Sequence, residues 1–171
     1  MATLSVGGTT VFNGSALQSG VTLPAGHIIT MGTLEPIGTS WNGVSGYTEC
    51  TNYEISITKK QTATSKIVLN CSYPWNGYYD GDSGQAYQCS GYTKWVRDAP
   101  SAWTSPLFRQ YWADELGSES HFNMYVQQSN GFVDTSTVAG VHTYTMWVNA
   151  ADKTNNVTNQ PGFIQIMEVT V

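Results

Sequence analysis

Charge is scarce in this chain. Asp, Glu, Lys and Arg make up 11% of its 171 residues, against about 25% in an ordinary globular domain. Leucine occurs 7 times and lysine 5 times, while threonine occurs 21 times. Leucine and lysine favour helices, whereas threonine, tyrosine and tryptophan suit a pleated, half-buried surface. That balance argues against a helical bundle. The 40% hydrophobic and 12% aromatic content argues equally against a disordered tail. No run approaches the ~20 apolar residues of a membrane helix. The first ten residues, MATLSVGGTT, offer neither a basic region nor an apolar one, so no signal peptide is expected. Basic residues are too few for a nucleic-acid footprint, with a formal net charge of −5. Three cysteines, Cys50, Cys71 and Cys89, are odd in number and lack metal-ligand spacing. They read as reduced, mostly buried thiols in a protein assembled in a cytosol.

The length suits one domain of roughly 100–200 residues, large enough to bury a core without disulfides or metal. Residues 1–25 are Gly/Ser/Thr-rich and uncharged, with thinly spaced Leu4, Val6, Val11, Phe12, Leu17 and Val21. They are expected to form an extended N-terminal arm that borrows a neighbouring surface. Residues 26–171 read as strands between turn signals, the pattern of a sandwich. Apolar His27–Leu34 opens the series. Tyr53, Ile55 and Ile57 alternate with polar residues, and Ile67, Leu69, Cys71 and Tyr73 share one face. Residues 74–84 (PWNGYYDGDSG) read as a turn-rich loop, and 86–97 as a strand with a break at Gly91. Residues 99–117 are ambiguous: Pro100 and Pro106 interrupt them, yet LFRQYWADEL suits a helical turn or two. Strands resume with Phe122, Met124 and Val126, continue with Tyr144, Met146 and Val148, and end at GFIQIMEVTV. Lys59, Lys60 and Lys66 read as a solvated turn between strands. The expected class is all-β: an antiparallel jelly-roll-type β-sandwich carrying that arm.

Four segments carry a resemblance: Ser65–Leu69 (SKIVL), Tyr92–Asp98 (YTKWVRD), His142–Val148 (HTYTMWV) and Ile164–Val169 (IQIMEV). In that order they resemble a jelly-roll domain of tailed-phage virion proteins, especially those of marine and cyanobacterial phages. The opening Leu4–Thr9 (LSVGGT) is similar to phage fibre and virion proteins. The likeness covers roughly residues 26–171 and describes strands rather than chemistry. It implies a non-enzymatic virion structural protein, assembled in the host cytoplasm, whose partners are its own copies in a homotrimer and the major capsid protein or another virion protein. A capsid decoration (cement) protein ranks first. The alternative is a tail-fibre tip or receptor-binding module recognising a host surface glycan. No cofactor or metal is expected, and no nucleic acid or membrane as partner.

Several constellations are candidates for chemistry. Gly81-Asp82-Ser83-Gly84 spells the core of a serine-protease nucleophile site, but none of His27, His121 and His142 has the sequence context of the base. The same tetrapeptide suits a tight turn. Asp80 and Asp82 resemble calcium-loop carboxylates without the rest of the loop. Asp114, Glu115, Glu119 and His121 read as a charged loop edge. The sequons at Asn13, Asn70 and Asn156 have no secretory context to use them. The stronger signal is aromatic. Trp75, Tyr78, Tyr79, Trp103 and Trp112, with Phe108 and Tyr111, concentrate in loop-like sequence. Such rings build subunit interfaces or stack sugars. Leu4, Val6, Val11, Phe12 and Leu17 are the candidate anchoring residues of the arm.

Overall fold

The structure, a computed structural model, describes residues 3–6, 9–13, 16–17, 25–36, 46–80, 86–98, 103–115, 121–136, 138–149, 155–157 and 162–171. The regular elements among them are all strands: β1 (Thr3–Val6), β2 (Thr9–Asn13), β3 (Ala16–Leu17), β4 (Ile28–Leu34), β5 (Thr48–Lys59), β6 (Ser65–Asp80), β7 (Ala86–Arg97), β8 (Trp103–Thr104), β9 (Phe108–Glu115), β10 (His121–Asp134), β11 (Gly140–Asn149), β12 (Asn155–Val157) and β13 (Phe163–Thr170). No helix among the described residues is long and apolar enough to cross a membrane.

Two antiparallel sheets make a β-sandwich. The first runs β10-β6-β13-β4, with β12 also paired to β6; the second runs β5-β11-β7-β8, with β9 also paired to β7. From β4 to β11 the chain passes repeatedly from one sheet to the other. The period-2 patterns explain which faces meet. Tyr53, Ile55 and Ile57 of β5, with Tyr144, Met146 and Val148 of β11 and Trp95 of β7, are buried on the second sheet. Ile67, Leu69, Cys71 and Tyr73 of β6, with Phe132 of β10 and Ile164 and Ile166 of β13, are buried on the first. Each large apolar side chain so buried contributes roughly 1.5–3 kcal/mol. Aromatic contacts join the sheets: Tyr53 meets Tyr73 edge-on at 6.3 Å, and Phe132 lies between Trp95 and Tyr144 at 6.3 and 6.5 Å. Gly162, just before β13, is a close approach. A Cβ there would stand 3.0 Å from both the Tyr53 ring and the Ser72 carbonyl oxygen.

Four expectations need correction. Residues 74–80 are not loop: β6 runs on through them to Asp80, paired residue by residue with β10. Trp75, Tyr78 and Tyr79 are β-prone, and a long partner strand outweighs the turn residues among them. Pro74 stands where β6 changes neighbours, because Phe163 of β13 pairs with Ser72 and Val157 of β12 with Trp75. A missing N–H is tolerated best at such a break. Residues 108–115 are strand rather than helix, lying along β7 from Thr93 to Ala86. Pro106 does interrupt this edge, splitting β8 from β9, and Ser105 bridges the break. Its N–H donates to the Trp95 carbonyl and its Oγ accepts from the Trp95 N–H, at 2.8 and 2.9 Å. Gly91 does not break β7. Lys59, expected in a solvated turn, is fully buried.

Of the expected N-terminal arm, the described residues before residue 25 are those of β1, β2 and β3. β1, β2 and β3 pair as a small antiparallel sheet of their own. Leu4 pairs with Phe12 and Phe12 with Leu17, so three candidate anchors stand in one cross-strand row. Val6 pairs with Thr9, and Val11 falls at the bulge between the Leu4 and Ser5 pairings.

Candidate functional site

The aromatic candidates are strand residues on both sheets. Trp75, Tyr78 and Tyr79 lie on β6, opposite Val126, Asn123 and Phe122 of β10. Trp103 pairs with Arg97, and Trp112 with Cys89, at the β7 edge of the second sheet. The Gly81–Gly84 tetrapeptide, Val21 and Glu119 lie outside the described residues, as does Asp82 of the calcium candidate. Asp80 pairs with His121, while Asp114 and Glu115 pair with Tyr87 and Ala86. Among the described residues no group of His, Cys, Asp and Glu is arranged to hold a metal.

Buried charge gathers instead at the end of the sandwich where β5 turns into β6. Lys59 Nζ donates to the carbonyl oxygens of Gln61 and Thr62 and, at 2.7 Å, to Ser65 Oγ. Ser65 Oγ passes a hydrogen bond to Glu168 Oε1 at 2.7 Å. The same carboxylate accepts the N–H groups of Lys60 and Gln61 at 2.8 and 2.9 Å. Burial pushes the Lys59 ammonium below its ordinary pKa, against the opposing pull of Glu168 and Asp134. With three acceptors for its three protons, this ammonium clamps the turn through its backbone. A nucleophilic serine needs a base to receive its proton; the neighbouring lysine donates.

The second cluster joins β7, β10 and β11. Asp134 Oδ2 accepts from Arg97 Nη1 and, at 2.7 Å, from the Tyr144 hydroxyl, while Oδ1 accepts the Ser136 N–H at 2.9 Å. Burial and the Asp134 carboxylate both push the Tyr144 hydroxyl up. Asp98 follows Arg97 in a left-handed conformation, φ 48°, which Asp tolerates better than most residues. From there Oδ1 accepts the Thr143 N–H at 2.9 Å and Oδ2 meets His142 Nδ1 at 2.8 Å. Burial acts to raise the Asp98 pKa, but the bonds from His142 and Thr143, with the charges of His142 and Arg97, outweigh it and hold the carboxyl below its ordinary value. An Asp–His pair invites comparison with a catalytic triad. Here His142 Nε2 faces the Val138 carbonyl oxygen at 3.0 Å, where a triad places the nucleophile's hydroxyl.

The two clusters include Ser65, Arg97, Asp98, His142, Tyr144 and Glu168. What they do in this structure is fasten one sheet to the other and hold the connecting turns. Sequence reading missed the clusters although a signal was present. Lys59 continues the inward parity of Tyr53, Ile55 and Ile57, Glu168 that of Ile164 and Ile166, and Asp134 that of Phe132.

The outward face of the first sheet is different in kind. Val133 pairs with Val68, Val68 with Met167, and Met167 with Met31, a single apolar row across β10, β6, β13 and β4. Beside it runs Lys66, Val169 and Ile28. Val133, Met31 and Ile28 are 50–55% exposed, and Val68, Met167 and Val169 are half-buried.

No protein-family model matches the chain, and neither does any curated protein.

Proposed function

We propose that this chain is a non-enzymatic structural protein of a tailed-phage virion, a homotrimeric capsid decoration protein with a jelly-roll body. The observation that carries the assembly reading is the apolar row on the outward face of the first sheet, Val133-Val68-Met167-Met31, flanked by Val169 and Ile28. A contiguous apolar patch on a charge-poor surface is the usual mark of a contact between proteins. Strand order supports the jelly roll: β4-β13-β6-β10 faces β5-β11-β7-β9, with the chain crossing between sheets as two interlocked Greek keys require. Support for a structural role also comes from the two polar clusters, where Lys59, Ser65 and Glu168 bond one another and the backbone of the turn, and His142 is held between Asp98 and the Val138 carbonyl oxygen. In this reading the N-terminal sheet is the anchor, with its Leu4-Phe12-Leu17 row set against the capsid protein.

The test combines mass and attachment. Sedimentation of the purified protein is expected to return three times the 18.6 kDa of one chain, and Met31→Lys to return the single chain. Added to particles lacking it, the protein is expected to co-sediment, and Phe12→Asp to weaken that binding while leaving the trimer intact. A wild-type monomer at micromolar concentration rejects the trimer. Full binding by Phe12→Asp rejects the anchor.

A further inference from the structure

Both nitrogens of the His142 ring face an acceptor. Nδ1 stands 2.8 Å from Asp98 Oδ2, and Nε2 stands 3.0 Å from the carbonyl oxygen of Val138. A carbonyl oxygen only accepts, and so does an ionised carboxylate. Burial acts against ionisation of Asp98, but the bonds from His142 and Thr143 outweigh it and hold the carboxyl below its ordinary value. A neutral imidazole has one N–H and one lone pair, so it satisfies one of these partners and turns its lone pair on the other. An imidazolium has two N–H groups and satisfies both. His142 is 5% exposed, so water has little access to relieve the mismatch.

The Val138 side of this bridge belongs to the connection between β10 and β11, which is strung together by hydrogen bonds that lead to the ring. Asp134 Oδ1 accepts the Ser136 N–H at 2.9 Å, Ser136 Oγ accepts the Val138 N–H at 3.2 Å, and the Val138 carbonyl oxygen meets His142. Gly140 then turns the chain into β11 with φ 131°, a backbone that favours glycine. Val138 and Val141 are 61% and 68% exposed, so apolar burial does little to hold this connection. The Asp98 side is fixed: its N–H donates to the Thr143 carbonyl oxygen at 2.8 Å, and its Oδ1 accepts the Thr143 N–H at 2.9 Å. His142 thus ties a lightly held connection to a firm turn. The other charged groups at this end have their own partners. Arg97 Nε lies 3.5 Å from Asp98 Oδ2, and Arg97 Nη1 bonds Asp134, which also accepts from the Tyr144 hydroxyl. Lys59, on β5 opposite Gly140, and Glu168 of β13 bond the turn between β5 and β6.

We infer that His142 is a pH-operated latch: as imidazolium it bridges Asp98 to Val138 and holds the β10–β11 connection, and on losing a proton it releases the Val138 carbonyl oxygen and frees that connection. Asp98 keeps the remaining N–H, because a carboxylate is the stronger acceptor. Histidine is the side chain whose ordinary titration falls between about pH 5 and 8, the range in which such a latch works. What it controls is the placing of exposed Val138. The device acts within one chain and rests on neither the trimer nor the virion reading.

The experiment follows the intact protein by NMR from about pH 5.5 to about pH 8.5. It reads the His142 ring nitrogens and the exchange protection of the Ser136, Val138, Ala139 and Gly140 amides, each relative to the intrinsic exchange rate at that pH. At the acid end both ring nitrogens are expected to carry protons. As the ring loses one, protection of those amides is expected to fall about ten-fold with the same midpoint, the worth of one charge-assisted bond. The Leu69 and Ile166 amides in the middle of the sandwich are expected to keep theirs, and His27→Gln to leave the step unchanged. Two variants remove the step with opposite signs. His142→Phe, a ring without either bond, is expected to leave the connection weakly protected at every pH. Asp98→Asn turns an amide N–H toward Nδ1, so a neutral ring accepts there and donates from Nε2 to Val138; the connection is expected to stay protected at the alkaline end. Constant protection in the wild type overturns the inference, as does a ring with a single proton at about pH 5.5. So does a step whose midpoint departs from the His142 titration, or one that survives in His142→Phe or Asp98→Asn. Should His142→Phe fail to fold, the wild-type titration and Asp98→Asn decide the matter between them.

Discussion

The middle of the sandwich and its Lys59 end are equally closed to water, yet they are built from opposite materials. In the middle, Trp95, Phe132, Tyr144, Ile166, Leu69 and Met146 fill the gap between the sheets with rings and hydrocarbon. At the end, a lysine, a glutamate, an arginine and an aspartate occupy the same kind of inward position. The middle holds the sheets together by removing apolar surface from water, a force that works between any well-packed groups. The end holds them by matched charges and hydrogen bonds, which work only while every partner is present. One region therefore fails by leaving a hole and the other by leaving an unpaired charge.

The largest expected effect breaks the two regions separately. Trp95→Ala is expected to cost about 3–5 kcal/mol through the cavity it opens. Glu168→Ala is expected to cost about 3–5 kcal/mol for a different reason, because it strands the Lys59 ammonium and two backbone N–H groups. Chemical denaturation at neutral pH measures both. The comparison sharpens with a second substitution. Adding Lys59→Met to Glu168→Ala recovers part of the loss, since the stranded charge goes with it, whereas no single change elsewhere fills the Trp95 cavity. If the double variant is no more stable than Glu168→Ala alone, the ammonium is not what makes that substitution costly.

Ranked next is the response to alkali, which belongs to the middle. Burial pushes the thiols of Cys50 and Cys71 up to about 12, and the Tyr53 hydroxyl to about 12 as well. Groups with raised pKa values stabilise the fold fully below their unfolded values, near 9 for a thiol and 10 for a tyrosine. That stability is lost as pH rises through the folded ones. Native protein at pH 8 is thus expected to leave both thiols unreactive toward a disulfide reagent, and stability to fall between about pH 9 and 12. Rapid labelling of Cys71 in the native state at pH 8 would contradict its place between β6 and the facing sheet.

How much of this was legible in the sequence depends on distance along the chain. The faces Tyr53-Ile55-Ile57, Ile67-Leu69-Cys71-Tyr73 and Tyr144-Met146-Val148 could be read because alternation is local and side-chain type agrees with parity. Lys59 and Glu168 obey the same parity but violate the type, and charge read by itself points to solvent. Their burial makes sense only together, and more than a hundred residues separate them. The aromatic segments 74–80 and 108–115 were misread for a related reason. Gly and Pro suggested loops or short helices, while the strands that hold them straight, β10 and β7, lie well away in sequence. The outward faces were the least legible. A row such as Val133-Val68-Met167-Met31 exists only once four strands have found their register.

The smallest expected effect tests where the polar end stops. Asp98 sits at its margin, with a side chain 36% exposed, and its depressed pKa makes a contribution that is complete above the unfolded value of about 3.9 and lost as pH falls through the lower, folded one. Two jobs are combined in this residue: accepting the Thr143 N–H from a left-handed backbone, and facing His142 as a charge. Asp98→Asn separates them. Asparagine adopts the same backbone readily and its carbonyl still accepts from Thr143, so only the charge facing His142 and Arg97 is removed. The expected cost at pH 7 is about 1 kcal/mol or less, as for a partly exposed pair, and the gap between variant and wild type should close on acidification. Asp98→Ala, which also loses the Thr143 bond and strains the turn, is expected to cost more and to keep part of its deficit at pH 3. Denaturation midpoints of the three proteins at pH 7 and pH 3 decide it. If Asn and Ala behave alike at both pH values, Asp98 acts through its charge alone, and the turn after β7 does not depend on the bond to Thr143.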